Sequence, residues 1–118
     1  TVNAHGTASG AGDVAELEAI HMVFGEGAKK LSVQSTKGLL GHTLWAAGLV
    51  ESIAVVAQMQ GDFIHPNLNL EDPMRSDIGF AAGQASEGGP SVALSNSFGF
   101  GGINTSIVIR KSLERNSP

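Results

Sequence analysis

Two patterns of apolar spacing divide the chain. In the first, Val14, Leu17, Ile20 and Phe24 recur every three or four positions, the spacing of an apolar stripe along one helix face. Asp13 and Glu16 have the spacing of a capping box and Gly25 ends the stripe, so a helix from Asp13 to about Phe24 is predicted. A carboxylate at that start offsets the partial positive charge of the helix terminus. The second pattern is the longest apolar run, from His42 or Thr43 to about Gln60, interrupted by Glu51, Ser52 and the terminal glutamines. It predicts a central helix that is apolar nearly all round and needs cover on several faces. The stretch from Leu44 to Met59 carries a carboxylate in its middle and falls short of the ~20 apolar residues of a membrane span. A core helix is the expectation.

Short alternating runs fall on either side. Thr1 to Ala4, Leu31 to Ser35, Val92 to Ser95 and Thr105 to Arg110 read as strands, with Ile78 to Ala82 as a further short one. Gly61-Asp62 closes the central helix, and Phe63 to Pro73 reads as an extended connection punctuated by proline. Glu87 to Pro90 is a turn, and Asn96 to Gly102 a hairpin connection too glycine-rich for regular pairing. The order βαβα followed by a hairpin predicts an α/β layer fold with a mixed sheet, over residues 1–111, and a frayed tail over 112–118.

Composition narrows the picture. With 118 residues, 42% hydrophobic and 15% charged, the chain reads as one globular domain. A net charge of -4 without a run of like charges argues against nucleic acid or a membrane surface as partner. No cysteine is present, which removes a disulfide framework, a thiolate metal site and a cysteine nucleophile from this chain. With no signal-like stretch before the first motif, a cytoplasmic setting is expected. The chain opens directly on Thr1-Val2-Asn3-Ala4-His5, and its central helix needs more cover than so short a chain supplies, so further sequence upstream is expected.

Three separated loops set unusual residues beside glycines: His5 with Thr7 and Ser9, Lys37 with His42, and Phe98 with Phe100. If the first two strands are parallel neighbours, the loops after them share one carboxyl edge, where open α/β sheets bind ligands. His5 and His42 then converge. Two imidazoles in one pocket can both offer N–H donors to a developing oxyanion. A lone histidine in a glycine loop is more often structural than catalytic, so the convergence carries this reading. His21, on a helix beside the apolar stripe, and His65, before a proline, receive no role. No histidine pair has the i, i+4 spacing of a zinc site, and no metal is expected. Lys37 lacks the glycine loop of a phosphate-binding Gly-x-x-x-x-Gly-Lys-Ser/Thr, which excludes that nucleotide motif. Glu51, inside the apolar helix, needs a partner, and Lys37 is the nearest cation in sequence.

Asn-Ala-His-Gly-Thr at 3–7, Ser-Thr-Lys-x-x-x-Gly-His at 35–42 with Ala-Ala-Gly and Glu51 behind it, and Asn-Ser-Phe-Gly-Phe-Gly-Gly at 96–102 resemble the β-ketoacyl-[acyl carrier protein] synthases. Order and spacing agree from Val2 to Lys111. The resemblance implies a thiolase-like fold of two similar halves, each a sheet covered by helices, with this chain as most of the second half. It implies decarboxylative condensation of an acyl thioester with malonyl-acyl carrier protein, in fatty acid or polyketide synthesis, with the cysteine nucleophile in the first half. By position, His5 and His42 match the two active-site histidines and Lys37 the family's lysine, paired with the carboxylate matched by Glu51. Phe100 matches the residue whose loop gates the acyl pocket, with Phe98 beside it on the substrate side. Thr7 and Ser9 stand where hydroxyls bind the phosphopantetheine arm, although Ser9-Gly10 replaces the commoner Thr-Pro. The expected partners are acyl carrier protein, the first half of the same domain and a second copy in a homodimer. No cofactor is expected, since the phosphopantetheine arm arrives on the carrier protein. A non-catalytic partner of the chain-length-factor kind is the alternative, and retention of both histidines and the lysine favours the enzyme.

Overall fold

The computed structural model describes residues 1–112. Four strands form a mixed sheet in the order β2-β1-β5-β6, where β1 is Val2–Asn3, β2 Val33–Gln34, β5 Val92–Gly99 and β6 Ile103–Arg110. β1 lies parallel to both neighbours, pairing Val2 with Val33 on one side and Leu94 on the other. β5 and β6 form the antiparallel hairpin. A parallel bridge from Val33 to Phe80 extends the sheet past β2.

Residues directly opposite one another face the same side of a sheet, so one register sets two chemistries. Val2, Val33 and Leu94 look toward α1 (Gly10–Phe24) and form a core with Ala4, Leu17, Ile20, Ala28 and Ile78. Asn3, Gln34 and Ser95 look toward α3 (Ala47–Gly61), whose buried face carries Glu51, Val55, Gln58 and Met59. A smaller core of Val55, Met59 and Ala93 with Ile109 closes that side. The middle of the α3 layer is therefore polar, and the motifs stand above it.

The βαβα order, the parallel first strands and the terminal hairpin hold as expected. Several boundaries differ. α1 begins at Gly10, ahead of Asp13, because Ser9 is the extended residue before it and its carbonyl accepts the Asp13 N–H at 3.0 Å. Of the predicted stripe, Leu17 and Ile20 are buried while Val14 and Phe24 are 41% and 37% exposed. Lys37–Leu40 is a short helix, α2, and α3 starts only at Ala47, after a 3-10 turn over Leu44–Ala46. Leu44 holds a φ of 52°, a left-handed conformation that interrupts the apolar run. Asp62 ends α3 in the left-handed conformation, as the Gly61-Asp62 pair predicted.

The connection after α3 pairs where none was expected: Phe63–Ile64 (β3) runs antiparallel to Ser86–Glu87 (β4). Ile78 to Ala82 makes only isolated bridges at Phe80 and Ala82. Asn96 to Gly102 is more regular than its glycines suggested. Pairing runs through Phe98 with Asn104 and Gly99 with Ile103, leaving Phe100 to Gly102 as the turn. Ser112 has no regular structure, and the rest of the expected frayed tail lies outside the described residues. No helix among the described residues is long and apolar enough to cross a membrane.

Candidate active site

His5 stands two residues past the end of β1, and its backbone is held by a carboxylate from the next helix. Glu16 accepts the His5 N–H at 2.9 Å on one oxygen and the Gly6 N–H at 3.0 Å on the other, while Asn96 Nδ2 donates at 2.9 Å. Sequence spacing gave Glu16 a capping task; folding turns it inward to organise the histidine loop. Gly6 adopts a φ of +39°, and a Cβ there would stand 2.8 Å from Ser35 Cβ, so the first loop abuts the second. Ser35 Oγ donates to the Gly6 carbonyl at 3.1 Å across that contact.

The second loop supplies Lys37 and His42. Lys37 Nζ donates to Glu51 Oε1, with the two side chains 6% and 3% exposed. The fold-back that joins them is the short helix α2, which carries Lys37 against the start of α3. His42 stands on the exposed side of the same turn, where its Nδ1 accepts the Leu44 N–H at 3.0 Å. A neutral imidazole with that acceptor carries its proton on Nε2.

The histidines meet as the parallel strands predicted. Their ring centroids are 5.7 Å apart in an edge-on arrangement at 87°. Phe98 packs on His5 from the end of β5, its ring centroid 5.4 Å away. Phe100 does not join them: it sits at the hairpin turn, fully exposed, because regular pairing carries Phe98 toward His5 and leaves Phe100 beyond the last paired residue. Thr7 and Ser9 share a hydrogen bond of 3.1 Å in the exposed loop after His5.

Burial and then the positive charge of Lys37 hold His5 below the ordinary histidine value, only partly opposed by Glu16 and Glu51. Its Nδ1 is enclosed without a partner, so a second proton there would gain no acceptor. His5 is thus held neutral near pH 7. Among the described residues, no group of His, Asp and Glu is arranged to hold a metal ion.

Sequence reasoning missed the buried polar layer beneath. Asn3 Oδ1 accepts both the N–H and the hydroxyl of Thr36, at 3.2 and 2.8 Å. Asn3 Nδ2 donates to Ser95 Oγ at 3.1 Å and Glu51 Oε2 at 3.4 Å. His65, 7% exposed, approaches Thr36 Oγ1 at 3.2 Å. His21 stays apart, 3.1 Å from a surface Asp77 that Arg75 binds through two nitrogens.

The decisive comparison concerns the stretch that holds both histidines. The family described as the β-ketoacyl synthase C-terminal domain matches residues 1–71. The chain belongs to the β-ketoacyl synthase family. Among curated relatives, a 3-oxoacyl-[acyl-carrier-protein] synthase 2 of Vibrio harveyi is 44% identical over 96% of the chain, which spans 28% of that protein. A solved β-ketoacyl synthase from Burkholderia phymatum superimposes with a TM-score of 0.85 at 38% identity, covering 95% of this chain and 27% of that one. A ketosynthase solved in complex with its type II polyketide synthase acyl carrier protein gives a TM-score of 0.84 at 34% identity, covering 94% of this chain and 28% of that one. The thiolase-like α/β class holds, and the chain spans little more than a quarter of these relatives.

Proposed function

We propose that this chain, residues 1–111, is the histidine and lysine portion of an enzyme that condenses an acyl thioester with malonyl-acyl carrier protein. The observation that carries the proposal is the meeting of His5 and His42 rings at 5.7 Å above the carboxyl edge of two parallel strands. In this reading the acyl group sits on a cysteine supplied by upstream sequence. The malonyl thioester carbonyl accepts N–H donors from both imidazoles. As the bond between the malonyl carboxylate and its neighbouring carbon breaks, carbon dioxide leaves and its electron pair makes an enolate whose oxygen those donors hold. The enolate carbon then attacks the acyl thioester, and the cysteine sulfur leaves as thiolate. Fixed donors in a water-poor pocket stabilise such charge by ~3 kcal/mol each.

Lys37 and Glu51 keep that site in shape. Thr7 and Ser9 bind the phosphopantetheine arm, which arrives on the carrier protein, and no other cofactor is used. Phe98 lines the substrate side and Phe100 gates the acyl pocket, swinging in from the exposed hairpin tip. The first half of the domain covers the apolar side of α3 and the turn before it, where Leu44, Trp45, Leu49 and Ile53 are 73%, 103%, 68% and 59% exposed. The complete protein acts as a homodimer in the cytoplasm. A non-catalytic partner subunit would have no need of two converging imidazoles. The test supplies the complete polypeptide with an acyl donor and malonyl-acyl carrier protein. The proposal expects the 3-oxoacyl product, and a well-folded protein that forms none would contradict it.

A further inference from the structure

His65 lies outside every motif that led to the site, yet it closes a buried circuit beneath it. Its backbone N–H donates to Gln58 Oε1 at 3.1 Å, and Gln58 shares the buried face of α3 with Glu51, about two turns away. Its ring meets Thr36, Thr36 meets Asn3, and Asn3 returns to Glu51. None of these five residues is more than 7% exposed. Buried polar groups without partners are costly, so the protons in the circuit can be assigned by counting.

Glu51 is acceptor-only as a carboxylate and faces the Asn3 amide nitrogen, so Asn3 turns its oxygen to Thr36. At 2.8 Å that oxygen needs a proton from the Thr36 hydroxyl. The hydroxyl has only one. Thr36 Oγ1 therefore accepts from His65, and His65 carries its proton on Nε2, an assignment that leaves the Nδ1 lone pair facing the Pro66 carbonyl oxygen at 3.1 Å as its one cost. The reverse assignment would leave two bare oxygens facing each other at 2.8 Å. Donors thus run one way, from His65 through Thr36 and Asn3 to the Glu51 carboxylate, an arrangement in which each bond strengthens the next. Lys37 touches this line at two points, its second member and its acceptor end. Its backbone follows Thr36 directly, and its ammonium binds Glu51.

We infer that His65 is a positioning residue for the condensing site, acting through Thr36, Asn3 and Glu51 on Lys37. The inference rests on the function proposed above and assigns His65 no contact with substrate. Replacing it with an apolar ring leaves Thr36 free to rotate its hydroxyl away from Asn3, which loosens the carboxylate that holds Lys37.

The experiment compares malonyl-acyl carrier protein decarboxylation by the complete polypeptide and its His65→Phe, His65→Gln, Thr36→Val and doubly substituted His65→Phe/Thr36→Val forms. Phe keeps a planar aromatic ring and removes the donor, whereas Gln keeps an N–H at similar reach. His65→Phe is expected to lower kcat about tenfold, the equivalent of one hydrogen bond of ~1.4 kcal/mol, with KM unchanged. His65→Gln should recover kcat to within about twofold, and the double variant should be no slower than Thr36→Val, because both breaks interrupt one line. A purely structural role predicts that Gln fails with Phe and that KM rises. That result, an unchanged kcat in His65→Phe, or additive losses would overturn the inference. Should His65→Phe not fold, Thr36→Val decides alone, and a wild-type kcat there overturns it. Absence of decarboxylation by the wild-type protein overturns the proposed function and this inference with it. An active wild type beside an unaffected His65→Phe overturns the inference alone.

Discussion

Lys37 and Glu51 form a direct ion pair inside the protein, between side chains 6% and 3% exposed. Such a pair is weak evidence for stability, since taking both charges out of water costs about what their attraction returns. Breaking it is another matter. Lys37→Met or Glu51→Gln strands one buried partner and should cost ~3–5 kcal/mol, whereas the double substitution should cost less than the sum. A double-mutant cycle by urea denaturation of the complete polypeptide checks this. Additive losses would show that the two residues do not depend on each other.

Leu44 should be replaceable by glycine and not by proline. The φ of 52° is strained for leucine, and glycine adopts it freely while keeping the N–H that His42 Nδ1 accepts. Leu44→Gly should retain decarboxylation within a few-fold. Leu44→Pro removes the donor and fixes φ near -65°, so the ring loses its tautomer restraint and the rate should fall about 100-fold.

Stability should decline on mild acidification. Burial lowers the pKa of both His5 and His65 from the ordinary value near 6.5. Below that value the unfolded chain binds protons that the folded state still refuses, so folding stability is full above about pH 6.5 and is lost as pH falls toward the depressed folded values. Melting temperatures between pH 8 and 5 should show this loss. It should shrink in His5→Gln and His65→Gln, and an identical pH dependence in both variants would contradict the assignment.

Gly79 marks a close approach of the chain to itself. A Cβ there would collide with the carbonyl oxygens of Leu31 and Lys29, both backbone atoms that cannot rotate away. Gly79→Ala should lose ~3 kcal/mol or more in urea denaturation. A variant as stable as wild type would mean that the Phe80 bridge to β2 is dispensable.

What was legible in the sequence was the part written in local period and local motif. Strand, glycine loop, helix and strand recur in an order that places His5 and His42 at one sheet edge, and Glu51 inside an apolar run demands a cation. Other features need the third dimension. Glu16 reads as a capping residue by spacing, because nothing local reveals that its carboxylate turns to the His5 and Gly6 amides. The glycines after Asn96 read as an irregular connection, which hid the alternation that sends Phe98 to His5 and leaves Phe100 outside. His65 finds Thr36 at a separation of 29 residues, beyond any periodic signal.

The central claim, that two imidazoles act together on one developing oxyanion, is tested most directly by carbon dioxide release from malonyl-acyl carrier protein in a burst experiment. Wild-type complete polypeptide is compared with His5→Ala, His42→Ala and the double variant, each shown to be folded by its near-ultraviolet dichroism. Either single substitution should slow release by about 100-fold or more, the effect of removing one fixed donor. Release at the wild-type rate from folded His42→Ala would contradict the account.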